Sequence, residues 1–204
     1  MRNNTYIIDS GHGGIDLKTG RYVTPGKRSP IWDDGSQYFE GVGNRLIAKV
    51  LAAQLREVGI KHEFTVSPDN SIDLSLSKRC QIANEIHGRE QGKTVFISIH
   101  SNASEHEKAE GYEVFTSPGI TKADQYAKIW LAKMAQTFPT HKNRGAKEAR
   151  FYVLVRTLSP AILVETMFHT NERECKILQS HAGRNQIAQA LFETIIEIEN
   201  GTSE

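Results

Sequence analysis

The sequence predicts an α/β fold: a single, mostly parallel, twisted sheet flanked by helices on both faces. Three observations predict it. Short runs rich in β-branched and aromatic residues, bounded by Gly, Pro, Asn or Ser, recur along the chain. Stretches with helical apolar spacing lie between many of them. Strands that alternate with helices favour parallel pairing, because a parallel connection has to cross the sheet and a helix makes that crossing.

Taken in order, "TYIID" (Thr5–Asp9) reads as a strand that runs into the turn "SGHGG". Residues Val42 to Val58 read as a helix with Leu46, Ile47, Val50, Leu51 and Leu55 on one face and Gly59 as its stop. "HEFTV" (His62–Val66) is the next strand and Leu76–His87 the next helix. "TVFISIH" (Thr94–His100) and "GYEVF" (Gly111–Phe115) are strands, and Lys122–Gln136 is a helix. The basic stretch "HKNRGAKEAR" (His141–Arg150) reads as a solvated loop. "FYVLV" (Phe151–Val155) and "AILVE" (Ala161–Glu165) read as strands, Gly183–Glu199 as the last helix, and "NGTSE" as a frayed tail.

Composition bounds the function. A chain of 204 residues that is 38% hydrophobic can bury one sizeable core, and without repeats or linkers it reads as one domain. A net charge of +1, from 25 basic and 24 acidic residues, argues against a general electrostatic grip on nucleic acid or an anionic membrane. Cys80 and Cys175 have no CxxC spacing and read as reduced packing residues rather than a disulfide or a thiolate metal site. The apolar start is broken at Asp9, too early for a signal-peptide core, and no run approaches a membrane span. The expectation is a protein made in the cytoplasm without a leader.

In parallel sheets, ligands bind beyond the carboxyl ends of the strands. His12 follows the first strand there, His100 ends "TVFISIH", and Glu165 ends "AILVE". Singly, each is as well explained by a local hydrogen bond or a helix-start acid. Together they bring two imidazoles and a carboxylate to one edge. A catalytic zinc takes three protein ligands and leaves a position for water, so two histidines need one more donor. Glu40, just ahead of the first helix, could supply it, although spacing alone reads it as a helix-start acid.

The blocks "IIDSGHGG", "FEGVGNRLIAKVLAAQLREVG", "RCQIAN", "FISIHSNA", "GYEVF" and "SPAILVETMFHTN" resemble, in order and spacing, the zinc-dependent N-acetylmuramoyl-L-alanine amidases. These are cell-wall hydrolases of cell division, sporulation and phage lysis. The resemblance runs from Tyr6 to about Phe192 and implies the same sheet flanked by helices. It implies that His12, Glu40 and His100 bind Zn2+ and that Glu165 is the catalytic acid/base. It further implies that the substrate is peptidoglycan, cut between N-acetylmuramic acid and L-alanine. The chain departs from the family's pattern in a long insertion from Leu17 to Phe39, in the absence of an arginine before "DLSLSKR", and in Met167 where glycine is common.

The expectation is therefore a catalytic amidase domain over residues 1–204 with no separate wall-binding domain, acting on the wall after release in the manner of a phage endolysin. The insertion beside the metal ligands is the candidate for wall contact, or else a surface loop. Asn102 and Asn171 read as orienting residues or turn formers. His62, His87, His106, His141, His169 and His181 read as surface or locally hydrogen-bonded residues. The competing readings are a host bacterial amidase, a non-catalytic peptidoglycan-binding module, and a phosphate-cradling loop at "SGHGG".

Overall fold

Every residue of the first apolar run is buried in a strand, β1 (Thr5–Ser10). The computed structural model describes residues 4–106 and 108–201, so the end of the expected frayed tail lies outside the described residues. After β1 come α1 (Glu40–Glu57), β2 (His62–Phe64), α2 (Leu76–Arg89), β3 (Thr94–Asn102) and β4 (Tyr112–Thr116). They are followed by α3 (Lys122–Thr137), β5 (Asn143–Glu148), α4 (Tyr152–Arg156), β6 (Ala161–Phe168), α5 (Glu172–Gln179) and α6 (His181–Asn200). The strands form one sheet in the order β2-β1-β3-β6-β4-β5. All neighbouring pairs run parallel except β4 against β6.

Side chains alternate across a strand, so each strand feeds two cores. Tyr6, Ile8, Ile97, Ile99, Ile162 and Val164 pack under α1, α3 and α6. Ile7, Phe96, Ala161 and Leu163 pack under α2 and α4. Helix α1 buries Ile47, Ala48, Leu51, Ala52 and Leu55, the spacing of one helical face. Leu46, expected on that face, lies at its edge, 37% exposed. Gly59, at φ 69, ends the helix in a conformation that costs other residues more. Ser75, Thr121, Asn171 and Ser180 each accept a backbone N–H at the start of α2, α3, α5 and α6.

Three segments depart from the sequence reading. Phe151–Val155 is not a strand, because Tyr152–Arg156 coils as α4. Its buried residues are the neighbours Val153 and Leu154, not alternate positions, and they dock on the α2 side of the sheet. A five-residue apolar run carries no periodicity that separates the two states, so packing decides. Asn143–Glu148 is strand β5, not a loop. As an edge strand it is exposed and charged, which hides it from a hydrophobic search. The short helix α5 was not foreseen either, and Asn171 is its cap: the side chain accepts the Glu174 N–H.

The arrangement of layers positions the site. On the α2/α4 face, Ala161 and Leu163 of β6 are covered, and the next residue on that face is Glu165. On β3 the same face carries Phe96, then Ser98, then His100, which pairs with Glu165 in register. Glu165 thus lies inside β6, three residues from its end, and faces a cleft beyond the cover of α4.

Candidate functional site

His12 follows β1 in a left-handed conformation, φ 64, which a non-glycine residue adopts at a cost of about 1 kcal/mol or more. The surroundings hold it there. Its carbonyl accepts from Arg45 Nη1 at 2.7 Å and from Arg79 Nη2 at 3.1 Å. Arg79 is itself anchored on buried Asp9, at 2.7 Å, and on the Ser10 carbonyl. Asp9 also accepts from Ser98 and Thr65. Burial alone would raise the Asp9 carboxyl, but Arg79 and the two hydroxyls outweigh it and hold it below its ordinary value.

Glu40 opens α1 and is buried. Its Oε1 lies 3.0 Å from His100 Nδ1 and 3.3 Å from His12 Nε2, and accepts the Ser101 N–H at 3.3 Å. The two imidazoles meet edge to face with centroids 5.0 Å apart. One ligand atom from each of His12, Glu40 and His100 lies within 4.8 Å of the others, the only such group of three among the described residues. Burial pushes the Glu40 carboxyl up, but hydrogen bonds from both histidines overcome it and hold the group far below the carboxylate range. His100 is pulled down by burial and raised on balance by Glu40. Two imidazoles drawn around one buried carboxylate make a hole that calls for positive charge, and two nitrogens with one oxygen suit zinc. The residues present fit that ion.

Gly11 makes room for this arrangement. A Cβ there would sit 2.1 Å from His100 Cε1, so the imidazole rests against the glycine backbone. The insertion also contributes. Tyr22 Oη accepts the Gly41 N–H and the Lys27 carbonyl accepts the Glu40 N–H, which together cap α1. Thr24 links Gly13 to Asp73. The insertion therefore buttresses the loop that carries His12 and the start of α1, and Lys27 reaches the cleft.

Glu165 lies across the same cleft. Its Oε2 is shut off from solvent and has no hydrogen-bond partner among the described residues. Burial raises the carboxyl to about 8; His100 opposes the rise, and Glu40 and Glu113 add to it. A carboxyl that holds and releases a proton near neutrality can serve as a general acid and base. The cleft, about 760 Å³, is shared by His12, Glu40, His100 and Glu165, with Lys27 on its rim and Phe151 and Tyr152 as an aromatic wall.

A family model described as N-acetylmuramoyl-L-alanine amidase matches residues 7–197. The chain belongs to the N-acetylmuramoyl-L-alanine amidase family. The activity that goes with this family is that of a peptidoglycan amidase. The N-acetylmuramoyl-L-alanine amidase AmiA of Escherichia coli is 30% identical over 93% of this chain and 74% of its own length. An endolysin of Bacillus phage SPP1 is 26% identical over 95% of this chain and 65% of its own. The chain spans only 34% of the amidase LytC of Bacillus subtilis. Among solved structures, the amidase AmiC2 of Nostoc punctiforme superposes with a TM-score of 0.78 at 30% identity, over 98% of both chains.

The structure brings His12, His100 and Glu165 together as the strand-end argument anticipates, and places Glu40, which spacing alone reads as a helix-start acid, between the two histidines. It does not bring Asn171, which caps α5, or the other histidines. Asn102 lines the cleft, but its amide donates to Glu113 Oε1 at 2.7 Å. His169 is buried beside Ser101 and Tyr38 rather than at the surface. The phosphate-loop reading fails, because the N–H groups of Gly11, Gly13 and Gly14 are spent on Ile99, Thr24 and Ser71. Sequence reasoning missed Asp9, Gly11, Arg45 and Arg79. An aspartate inside an apolar strand was the one signal available, since a charge there demands a partner.

Proposed function

We propose that the protein is a zinc-dependent N-acetylmuramoyl-L-alanine amidase acting on peptidoglycan, with His12, Glu40 and His100 as metal ligands and Glu165 as acid/base. The observation that carries the reading is the convergence of this donor set with the unpartnered Glu165 oxygen over one cleft. When bound, zinc would supply Lewis-acid activation of water and of the scissile carbonyl. Glu165 Oε2 takes the proton from the attacking water and delivers it to the departing L-alanine nitrogen. Its burial serves both halves of that cycle, because a carboxyl poised near neutrality accepts and returns a proton readily. Buried Glu40 and the His100 ring, seated on Gly11, keep the donor set in place between turnovers. The place of Glu165 in the cleft argues against a module that only binds wall.

The test is digestion of purified peptidoglycan, with the new termini identified by mass spectrometry. New L-alanine amino groups without new reducing sugar ends are expected, with activity lost on chelation and restored by zinc. New reducing ends, or activity indifferent to chelation, would refute the reading.

The biological setting we propose is lytic: an enzyme made in the cytoplasm that meets the wall once the membrane is breached. The endolysin relative supports it. The amidase of Escherichia coli supports the competing reading of a bacterial wall amidase. Expression in a suitable host with turbidity followed before and after membrane permeabilisation separates them. Lysis only after permeabilisation is expected, and rapid lysis without it would refute the lytic setting.

A further inference from the structure

Arg45 belongs to none of the donor positions, yet it is buried, 4% exposed, between two of them. Its guanidinium donates to four backbone carbonyls: Nε to Asn70 at 2.8 Å, Nη1 to His12 at 2.7 Å and to Gly41 at 2.9 Å, and Nη2 to Ile72 at 3.0 Å. None of these bonds goes to a carboxylate. A buried arginine spent wholly on carbonyls is organising the chain rather than balancing a charge.

Nη1 is the informative atom. His12 is one metal donor, and Gly41 directly follows Glu40, the second, so a single nitrogen joins the backbones that carry both. The two segments are already pressed together, since a Cβ on Gly41 would lie 1.9 Å from the Gly13 carbonyl oxygen. Arg79 also donates to the His12 carbonyl, but its other bonds go to Asp9, Ser10, Leu74 and Asp73, so it ties His12 to the end of β1. Of the two arginines, Arg45 alone ties the His12 backbone to α1, beside the Asn44 Nδ2 bond to the neighbouring Gly11 carbonyl at 3.2 Å. His12 keeps its left-handed backbone because such neighbours over-determine it.

We propose that Arg45 is a positioning residue that sets the separation of His12 from Glu40 and thereby the metal affinity of the site. The proposal rests on the metal-centre reading above. A lysine, with one nitrogen, cannot span the four carbonyls, and a methionine fills the space with no donor.

The test compares Arg45→Met and Arg45→Lys with Leu51→Ala, a substitution of a core residue on the same helix. Two quantities are read: the zinc dissociation constant by competition with a chelator, and the thermal unfolding of the metal-free protein. Both Arg45 variants are expected to bind zinc about 10–100-fold more weakly, the usual effect of removing a group that orients a ligand. Leu51→Ala is expected to lower the melting temperature while leaving zinc affinity within about threefold of the parent. If Arg45→Met does not fold, Arg45→Lys carries the test alone. An Arg45 variant that keeps parental affinity would overturn the proposal. So would Leu51→Ala losing as much affinity as the Arg45 variants, because the loss would then follow stability alone. A parent protein that binds no zinc would overturn the metal-centre reading itself, and the proposal with it.

Discussion

Gly11→Ala adds one methyl group at the floor of the site. A Cβ built there lies 2.1 Å from His100 Cε1 and 2.5 Å from both ring nitrogens. Ordinary carbon contacts begin near ~3.5 Å, so either the imidazole or the loop must move by about 1.4 Å. Gly11 is not among the residues with positive φ, so alanine brings no backbone strain, and the effect reports on His100 alone. Metal–ligand distances tolerate about ±0.2 Å, several times less than the forced shift. The expected result is a zinc affinity at least ~10²-fold weaker, beyond the effect of disturbing an orienting neighbour. Far-UV circular dichroism should stay unchanged, because the methyl group touches a side chain rather than the sheet. The assay is competition with a chelator of known affinity, alongside peptidoglycan turnover at saturating zinc. Gly11→Ala binding zinc as tightly as the parent would show that His100 is not a ligand, or that its ring is free to relocate.

Glu165→Gln keeps the volume but cannot take a proton, so turnover should fall at least ~10²-fold with zinc still bound; near-normal turnover would assign the base elsewhere. Asp9→Asn leaves Arg79 short of its buried counter-charge and should destabilise the fold by about 3 kcal/mol at neutral pH in denaturant titrations. The folded Asp9 carboxyl lies below its ordinary 3.8, so its stabilisation is complete above that pH and is lost as pH falls through the folded value. The gap between the parent and Asp9→Asn should therefore narrow in acid, and a gap independent of pH would contradict the assignment. Replacing Phe151 and Tyr152 together by Ala strips the aromatic wall of the cleft. The loss of ~1–2 kcal/mol of apolar contact should raise KM on peptidoglycan roughly tenfold with kcat little changed. An equal fall in kcat would place the wall in the chemistry rather than in binding.

Local pattern determined much of this protein. The buried strands read at Thr5–Asp9, Thr94–His100 and Ala161–Glu165 announce themselves because central strands covered on both faces are mostly apolar. The long helices announce themselves through period and caps. His100 and Glu165 were legible because a histidine or carboxylate that ends an apolar run stands out against its neighbours, and His12 because it stands among glycines in the turn after one. Tertiary structure decided the rest. Glu40 faces His12 and His100 as well as opening a helix because α1 begins against the β1 loop, a contact between segments 28 residues apart. Phe151–Val155 coils because a short run has no period of its own and takes the state its packing selects. The charged edge strand β5 lacks the apolar alternation by which strands are read, since one side of it meets solvent. Arg45 and Arg79 were invisible for a deeper reason. Their partners are mostly carbonyls, which every residue carries, so nothing in side-chain pattern marks which backbone an arginine will hold.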